Sequence, residues 1–140
     1  MLPLPADVIP HRDPFLFLDE VTELDPGVSA KGVWTPGEDL VFFAGHFPGR
    51  PTLPGVLMTE SIAQLGAYAV LHGGSMAGKI PLFGGIDNVK FRRQVLPGER
   101  LDLELTVTRM SARAGKASGS ASVNGELACK CDLMFVGVDA

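Results

Sequence analysis

The chain has 140 residues, of which 46% are hydrophobic and 20% charged, a composition typical of one globular domain that spans residues 1–140. Its net charge of −4 argues against a nucleic-acid partner, because binding to the phosphate backbone requires a basic excess. The start of the chain lacks the basic and apolar regions of a secretory signal, and no apolar run approaches the length of a membrane span. We therefore expect a cytoplasmic protein.

Two stretches near the N-terminus predict a first β-hairpin. Residues 15–24 and 28–34 are rich in apolar side chains and flank Asp25-Pro26-Gly27, which is a turn signal. The aromatic residues in and after this hairpin are interpreted as packing residues. They are Trp34, Phe42 and Phe43.

An ordered loop is predicted for residues 45–55, where three glycines and three prolines surround a single histidine, His46. Prolines fix the φ angle and remove backbone donors, so the segment fits neither a strand nor a helix. The glycines permit close approach of a ligand to the backbone. A lone histidine is usually a surface or packing residue, but in so stiff a loop His46 is a candidate acid–base residue.

One long helix is predicted for residues 55–72, between Pro54 and Gly73-Gly74. Apolar residues occupy nearly every side of it, so the helix should be buried all round. Glu60 lies within it, on one face with Gln64, and the helix offers no basic residue as a partner. Two interpretations of Glu60 stay open from the helix alone: a functional acid, or a solvated acid that the helix dipole stabilises.

Four further strands are predicted after the helix. The first covers residues 82–91, and alternation of apolar and polar residues marks the second at residues 101–108. Asn124-Gly125 joins residues 117–123 to the alternating run 127–135 and is a strong hairpin signal. A single buried helix among antiparallel strands predicts an α+β fold in which the sheet wraps around the helix. Such a core leaves apolar surface uncovered, so we expect an oligomer.

The two cysteines, Cys129 and Cys131, lie two positions apart and would share one face of a strand. This spacing suits neither an intrachain disulfide nor, by itself, a metal site. We expect buried thiols in a reducing compartment.

Three blocks of the sequence, in order, resemble the bacterial fatty-acid synthesis dehydratases of the FabZ type. The blocks are Ile9-Pro10-His11-Arg12-Asp13-Pro14-Phe15, then residues 45–57 with Glu60 and Ala63-Gln64, then residues 85–93 with Val95, Pro97 and Gly98. The resemblance runs from about Ile9 to Phe135 and so covers nearly the whole chain. The middle block is the specific one, since it combines Gly45-His46-Phe47-Pro48-Gly49 with an acid at a fixed spacing.

The resemblance implies a hot-dog fold, homodimers that share one continuous sheet, and usually a trimer of such dimers. It implies an active site across the dimer interface, with His46 of one protomer facing Glu60 of the other. The free amides at the start of the helix, beginning with Gly55, would polarise the carbonyl oxygen of the thioester. Phe83 would border the acyl tunnel. No metal or organic cofactor is implied. The relatives that also isomerise the double bond carry aspartate in place of Glu60, which favours simple dehydration here.

The resemblance also implies an acidic acyl carrier protein as the partner that presents the substrate. Positive charge is concentrated in one short stretch, and from charge alone it would be a solvated edge. With a carrier protein as partner, this stretch becomes the expected docking site. Its residues are Lys90, Arg92 and Arg93, with Arg100 nearby. We treat the His11-Arg12 pair as structural.

Two alternatives belong to other functional classes. The first is another thioester enzyme of the same fold, either a CoA-linked hydratase or a thioesterase. The Gly-His-Phe-Pro-Gly block around His46 argues against it. The second is a non-catalytic acyl-binding or assembly subunit, which would have no need of both His46 and Glu60.

Overall fold

The computed structural model describes residues 1–140 as one helix enclosed by a six-stranded antiparallel sheet. The elements are β1 Glu20–Asp25, β2 Ser29–Trp34, α1 Gly55–Leu71, β3 Lys79–Phe91, β4 Leu101–Met110, β5 Ala114–Val123 and β6 Glu126–Asp139. Two short 3-10 helices lie at Pro5–Asp7 and Val41–Ala44. The strand order is β1-β2-β4-β5-β6-β3. This arrangement is the predicted hot-dog fold, and no helix in it is both long and apolar enough to cross a membrane.

The C-terminal half follows the sequence signals closely. Strands β4, β5 and β6 pair in consecutive antiparallel order. Asn124 and Gly125 both have positive φ angles, 49° and 83°, as a tight type I′ hairpin turn requires. Cys129 and Cys131 are free and buried on the inner face of β6. The predicted hairpin and the predicted buried thiols are therefore confirmed.

The helix α1 packs closely on the sheet because the facing strand β5 carries small residues. Ala117 and Ala121 are buried on that strand, and a side chain on Gly119 would collide with Ile62 of the helix. Eleven of the 17 helix residues are buried, but Val56 in the first turn is exposed. The prediction of a helix buried all round therefore holds beyond the first turn and is wrong at the first turn. The helix ends at Leu71, where the backbone turns through Gly73 with a φ angle of 71°.

The first predicted strand is wrong in its extent. The sequence favoured a strand over residues 15–24, but β1 begins only at Glu20. The preceding residues cross the helix as irregular chain, and side chains of α1 take the place of a neighbouring strand as hydrogen-bond partners. Gln64 accepts from the Phe17 amide at 2.7 Å, and the Ser61 hydroxyl donates to the Phe17 carbonyl at 2.7 Å.

Strand β3 forms one edge of the sheet and pairs only with β6. Its other edge has no partner within the chain, and several large apolar side chains on the strand are exposed. These are Leu82, Phe83, Ile86 and Phe91. A long edge strand with exposed apolar residues is a template for pairing with another chain.

Candidate active site

His46 is held in one orientation by the loop that precedes the helix. Its Nδ1 donates to the Thr52 carbonyl oxygen at 2.8 Å, and the Thr52 amide donates back to the His46 carbonyl at 2.8 Å. A carbonyl can only accept, so Nδ1 carries the hydrogen and the neutral ring keeps its lone pair on Nε2. The loop therefore presents Nε2 as a base.

The same loop leads into the start of α1. Pro54 precedes the helix and no side chain caps it. The Leu57 amide donates to the Pro54 carbonyl oxygen at 2.9 Å, which leaves the Gly55 and Val56 amides without a backbone partner. A side chain on Gly55 would lie 2.9 Å from the ring of Phe91, so glycine is needed for this close packing. His46, Gly55, Phe91 and Arg92 together line an open depression of about 670 Å³.

Glu60 lies in a different and more enclosed cavity of about 210 Å³. The side chain of Glu60 is only 16% exposed. Burial raises the pKa of its carboxyl, and the hydrogen bond that Gln64 donates at 2.9 Å partly opposes this shift. The other lining residues are mostly apolar: Phe15, Ala63, Gly66, Ala67, Pro81, Leu82, Phe83, Leu133 and Phe135. A carboxyl whose pKa is raised keeps its proton to higher pH than an exposed one, which suits a general acid.

His11, which the sequence suggested to be structural, is a polar residue of this cavity. Its Nε2 lies 3.6 Å from the Oε2 atom of Glu60, and its Nδ1 is buried without a hydrogen-bond partner. Burial, and secondarily the charge of Arg12, lower the pKa of its imidazole. His11 is 49 positions from Glu60 in the sequence, and no local pattern joins the two.

Within one chain, the structure does not bring the predicted site residues together. His46 and Gly55 line the open depression, whereas Glu60 and Phe83 line the enclosed cavity. A base and an acid in separate cavities cannot act on one small substrate.

The predicted docking residues differ in their surroundings. Lys90 and Arg92 are exposed. Arg93 binds Glu99 through Nη2 at 2.9 Å and Glu126 through Nε at 3.0 Å. The hydrogen bond with Glu99, and to a smaller extent that with Glu126, raises the pKa of the Arg93 guanidinium. The two carboxylates also balance the positive charge of Arg93 within the chain. Docking stays a prediction for all three residues, and the ion pairs give Arg93 a structural role as well, because they join the loop after β3 to the first residue of β6.

A family model described as the FabA-like domain matches residues 9–132. The chain belongs to this family. A "3-hydroxyacyl-[acyl-carrier-protein] dehydratase FabZ" from Staphylococcus epidermidis is 45% identical over 133 residues, which are 95% of this chain and 92% of that protein. The protein of the same name from Clostridium novyi is 48% identical over 129 residues, covering 92% and 91% of the two chains. At this identity and coverage, the family is that of the FabZ-type dehydratases.

Solved structures agree on the fold. A chain from the structure described as "The Dehydratase Heterocomplex ApeI:P from Xenorhabdus doucetiae" superposes with a TM-score of 0.84 at 18% identity, covering 99% of this chain and 93% of that chain. The TT0310 protein from Thermus thermophilus superposes with a TM-score of 0.66 at 19% identity, covering 91% of this chain and all of that one. At these identities the likeness supports the fold alone.

Proposed function

We propose that the protein is a 3-hydroxyacyl-[acyl-carrier-protein] dehydratase of fatty-acid biosynthesis, a hydro-lyase that forms the trans-2-enoyl thioester. The observation that carries the proposal is the buried acid Glu60, whose pKa is raised by an apolar cavity large enough for part of an acyl chain. The family's relatives bear this activity in their names. The two free cysteines agree with a protein that functions in the reducing environment of the cytoplasm.

The elimination follows from the two side chains. His46 Nε2 removes the α-proton of the thioester, which the adjacent carbonyl acidifies. The free amides at the Gly55 end of α1 stabilise the charge that develops on the thioester oxygen. The electron pair of the C–H bond forms the double bond, the C–O bond breaks, and Glu60 gives its proton to the departing hydroxyl, which leaves as water. The proton that His46 holds then returns to Glu60 through solvent.

A second copy of the chain completes the site in this proposal. Antiparallel pairing of two β3 strands about Asp87, the midpoint between Phe83 and Phe91, would set Phe83 of one copy beside Phe91 of the other. Phe83 lines the Glu60 cavity and Phe91 lines the His46 depression. The pairing would therefore bring the acid of one copy to the base of its partner. It would also cover the exposed apolar residues of β3. A trimer of such dimers is the expected assembly.

The substrate arrives on an acidic carrier protein, for which Lys90 and Arg92 supply exposed positive charge. Arg92 also lines the His46 depression. The acyl chain enters the cavity lined by Phe83, Ala63 and Phe135. No cofactor takes part in this proton-transfer chemistry.

The test is turnover of 3-hydroxyacyl-carrier protein, followed by the ultraviolet absorbance of the enoyl thioester. We expect His46→Ala and Glu60→Gln to lower kcat by roughly 10²-fold or more, the scale of positioned acid–base groups. His72→Ala and Glu23→Gln are matched controls outside both cavities and should retain activity. Near-normal turnover in either site variant would contradict the role assigned to that residue.

The same assay separates the alternatives. A thioesterase would release the free thiol of the carrier, which a thiol reagent detects, and would form no enoyl product. A CoA-linked hydratase would prefer CoA thioesters to carrier-bound ones. A non-catalytic acyl-binding subunit would show neither reaction.

A further inference from the structure

His11 and Glu60 face the same enclosed cavity from two different parts of the chain. The Nε2 atom of His11 lies 3.6 Å from Oε2 of Glu60, which is too long for a direct hydrogen bond. An oxygen atom beside the pair can nevertheless lie about 2.8 Å from both atoms, at the apex of a triangle. The His11 side chain is 20% exposed and the cavity is otherwise lined mostly by apolar groups. His11 and Glu60 therefore form the polar part of an otherwise mostly apolar cavity.

The surroundings of His11 determine where its hydrogen lies. Nδ1 is buried and has no partner, whereas Nε2 points towards a carboxyl oxygen. Oε2 of Glu60 accepts a hydrogen bond from Gln64, so the proton of the neutral carboxyl belongs on Oε1 and Oε2 presents only lone pairs to His11. A lone pair on Nε2 would repel Oε2, so the hydrogen is favoured on Nε2. Burial disfavours the doubly protonated ring and lowers the pKa of the imidazole. At neutral pH, His11 thus presents a single N–H donor to the cavity.

We propose that His11 is the second group that binds the 3-hydroxyl of the substrate, its Nε2–H donating to the hydroxyl oxygen that Glu60 protonates. The inference rests on the proposed dehydration. The geometry supports it because an oxygen between the two side chains satisfies the His11 donor and remains within reach of the Glu60 carboxyl.

His11 keeps its proton throughout the reaction. As the C–O bond breaks, negative charge grows on the leaving oxygen until the Glu60 proton is transferred, and a fixed donor stabilises that charge. Glu60 supplies the proton that makes water, and His46 holds the α-proton. His11 adds neither an electron pair nor a proton to this balance.

The competing interpretation is that His11 only packs against Glu60. Two amide variants separate binding from packing. In His11→Gln, the side-chain amide can place an N–H near the position of Nε2, whereas in His11→Asn the shorter side chain reaches only about as far as Nδ1. The two variants differ by one methylene group, so their folded states should be comparable. We expect His11→Gln to retain most of kcat and His11→Asn and His11→Ala to lose roughly tenfold.

A binding measurement tests the contact itself. In a His46→Ala background, which prevents turnover, the affinity of 3-hydroxyhexanoyl-pantetheine is compared with that of hexanoyl-pantetheine, which lacks the hydroxyl. Adding His11→Ala or His11→Asn should weaken binding of the hydroxylated ligand by between about threefold and tenfold, the range for one hydrogen bond. Binding of the hexanoyl thioester should change little. Adding His11→Gln should preserve the preference for the hydroxylated ligand.

Equal weakening of both thioesters, or equal behaviour of the Gln and Asn variants, would overturn the proposal and leave His11 as a packing residue. If His11→Ala proves unstable in a thermal melt, the Gln and Asn pair still decides the question. A failure of the proposed function is recognised separately, because then Glu60→Gln would retain turnover whatever His11 does.

Discussion

The side-chain amide of Gln64 is fixed in orientation by the backbone amide of Phe17. The Phe17 N–H donates to Oε1 of Gln64 at 2.7 Å, so the Nε2 group must face the opposite way. There it donates to the Glu60 carboxyl at 2.9 Å and to the Phe15 carbonyl at 3.1 Å. One side chain therefore anchors the chain before β1 and holds the acid of the site.

Through this hydrogen bond, Gln64 influences the pKa of the Glu60 carboxyl. The hydrogen bond from Gln64 favours the ionised form, so Gln64→Leu should raise the pKa of Glu60 further. Dehydration needs protonated Glu60, so the alkaline limb of the pH–rate profile should move to higher pH. The variant should also lose about 1–3 kcal/mol of stability, since the Phe17 amide loses its partner. Ser61→Ala, which breaks only the bond to Phe17, should leave the pH profile unmoved.

The buried acid should lower stability where it is ionised. Its pKa in the folded protein lies above the ordinary value of 4.5, so the folded state holds the proton more tightly than the unfolded state. The free energy of unfolding contributed by this group is present below pH 4.5 and is lost as the pH rises through the raised pKa. Glu60→Gln should therefore raise Tm over wild type at neutral and alkaline pH but not at acidic pH. A Tm difference that is independent of pH would contradict this account.

Much of the fold could be predicted from the sequence where local signals are strong. The alternation in residues 101–108 and the Asn124-Gly125 turn are local features, and β4 and the last hairpin lie where they indicate. The first half of the stretch 15–24 is not a strand because the backbone of Phe17 pairs with the Gln64 and Ser61 side chains of α1. Such tertiary hydrogen bonds leave no periodic pattern in the sequence.

The candidate site was predictable only in part. His46 and Glu60 are conspicuous because a stiff loop and an apolar helix offer few other polar groups. Their separation into two cavities depends on how the sheet curves, which the sequence does not encode locally. Charge counting likewise treated Arg92 and Arg93 alike, although only Arg93 has two carboxylate partners within the chain.

The difference between the two arginines gives a docking prediction. Arg92→Glu should raise KM for carrier-protein substrates far more than for pantetheine thioesters, because only the carrier protein contacts the surface. Arg93→Glu should instead lower Tm, since it breaks the ion pairs with Glu99 and Glu126. Lys116→Glu, an exposed charge reversal on β5, is the control. Equal KM effects of Arg92→Glu on both substrates would show that this residue does not serve docking.

The close packing of α1 on β5 gives a stability prediction. A Cβ at position 119 would collide with Ile62 and lie 3.0 Å from the Glu104 carbonyl oxygen, so Gly119→Ala should cost about 1–3 kcal/mol. Chemical denaturation measures this cost. Ser122→Ala on the same strand adds no bulk and should change stability by less than about 0.5 kcal/mol. An unchanged free energy of unfolding in Gly119→Ala would mean that the helix shifts without penalty.

The proposal that two protomers share each site makes a prediction that no single variant can test. If His46 of one protomer works with Glu60 of its partner, a dimer of one His46→Ala chain and one Glu60→Gln chain contains one site with both residues intact. Its other site lacks both.

The two inactive variants are therefore mixed, unfolded and refolded together, with differently tagged chains to prove subunit exchange. Random pairing makes half of the dimers mixed, each with one working site of two, so activity should recover to at most about a quarter of wild type. Each variant refolded alone is the control and should stay inactive. If proven mixed dimers remain inactive, each chain must supply its own pair. His46 and Glu60, which now line two cavities, would then have to come together within one protomer.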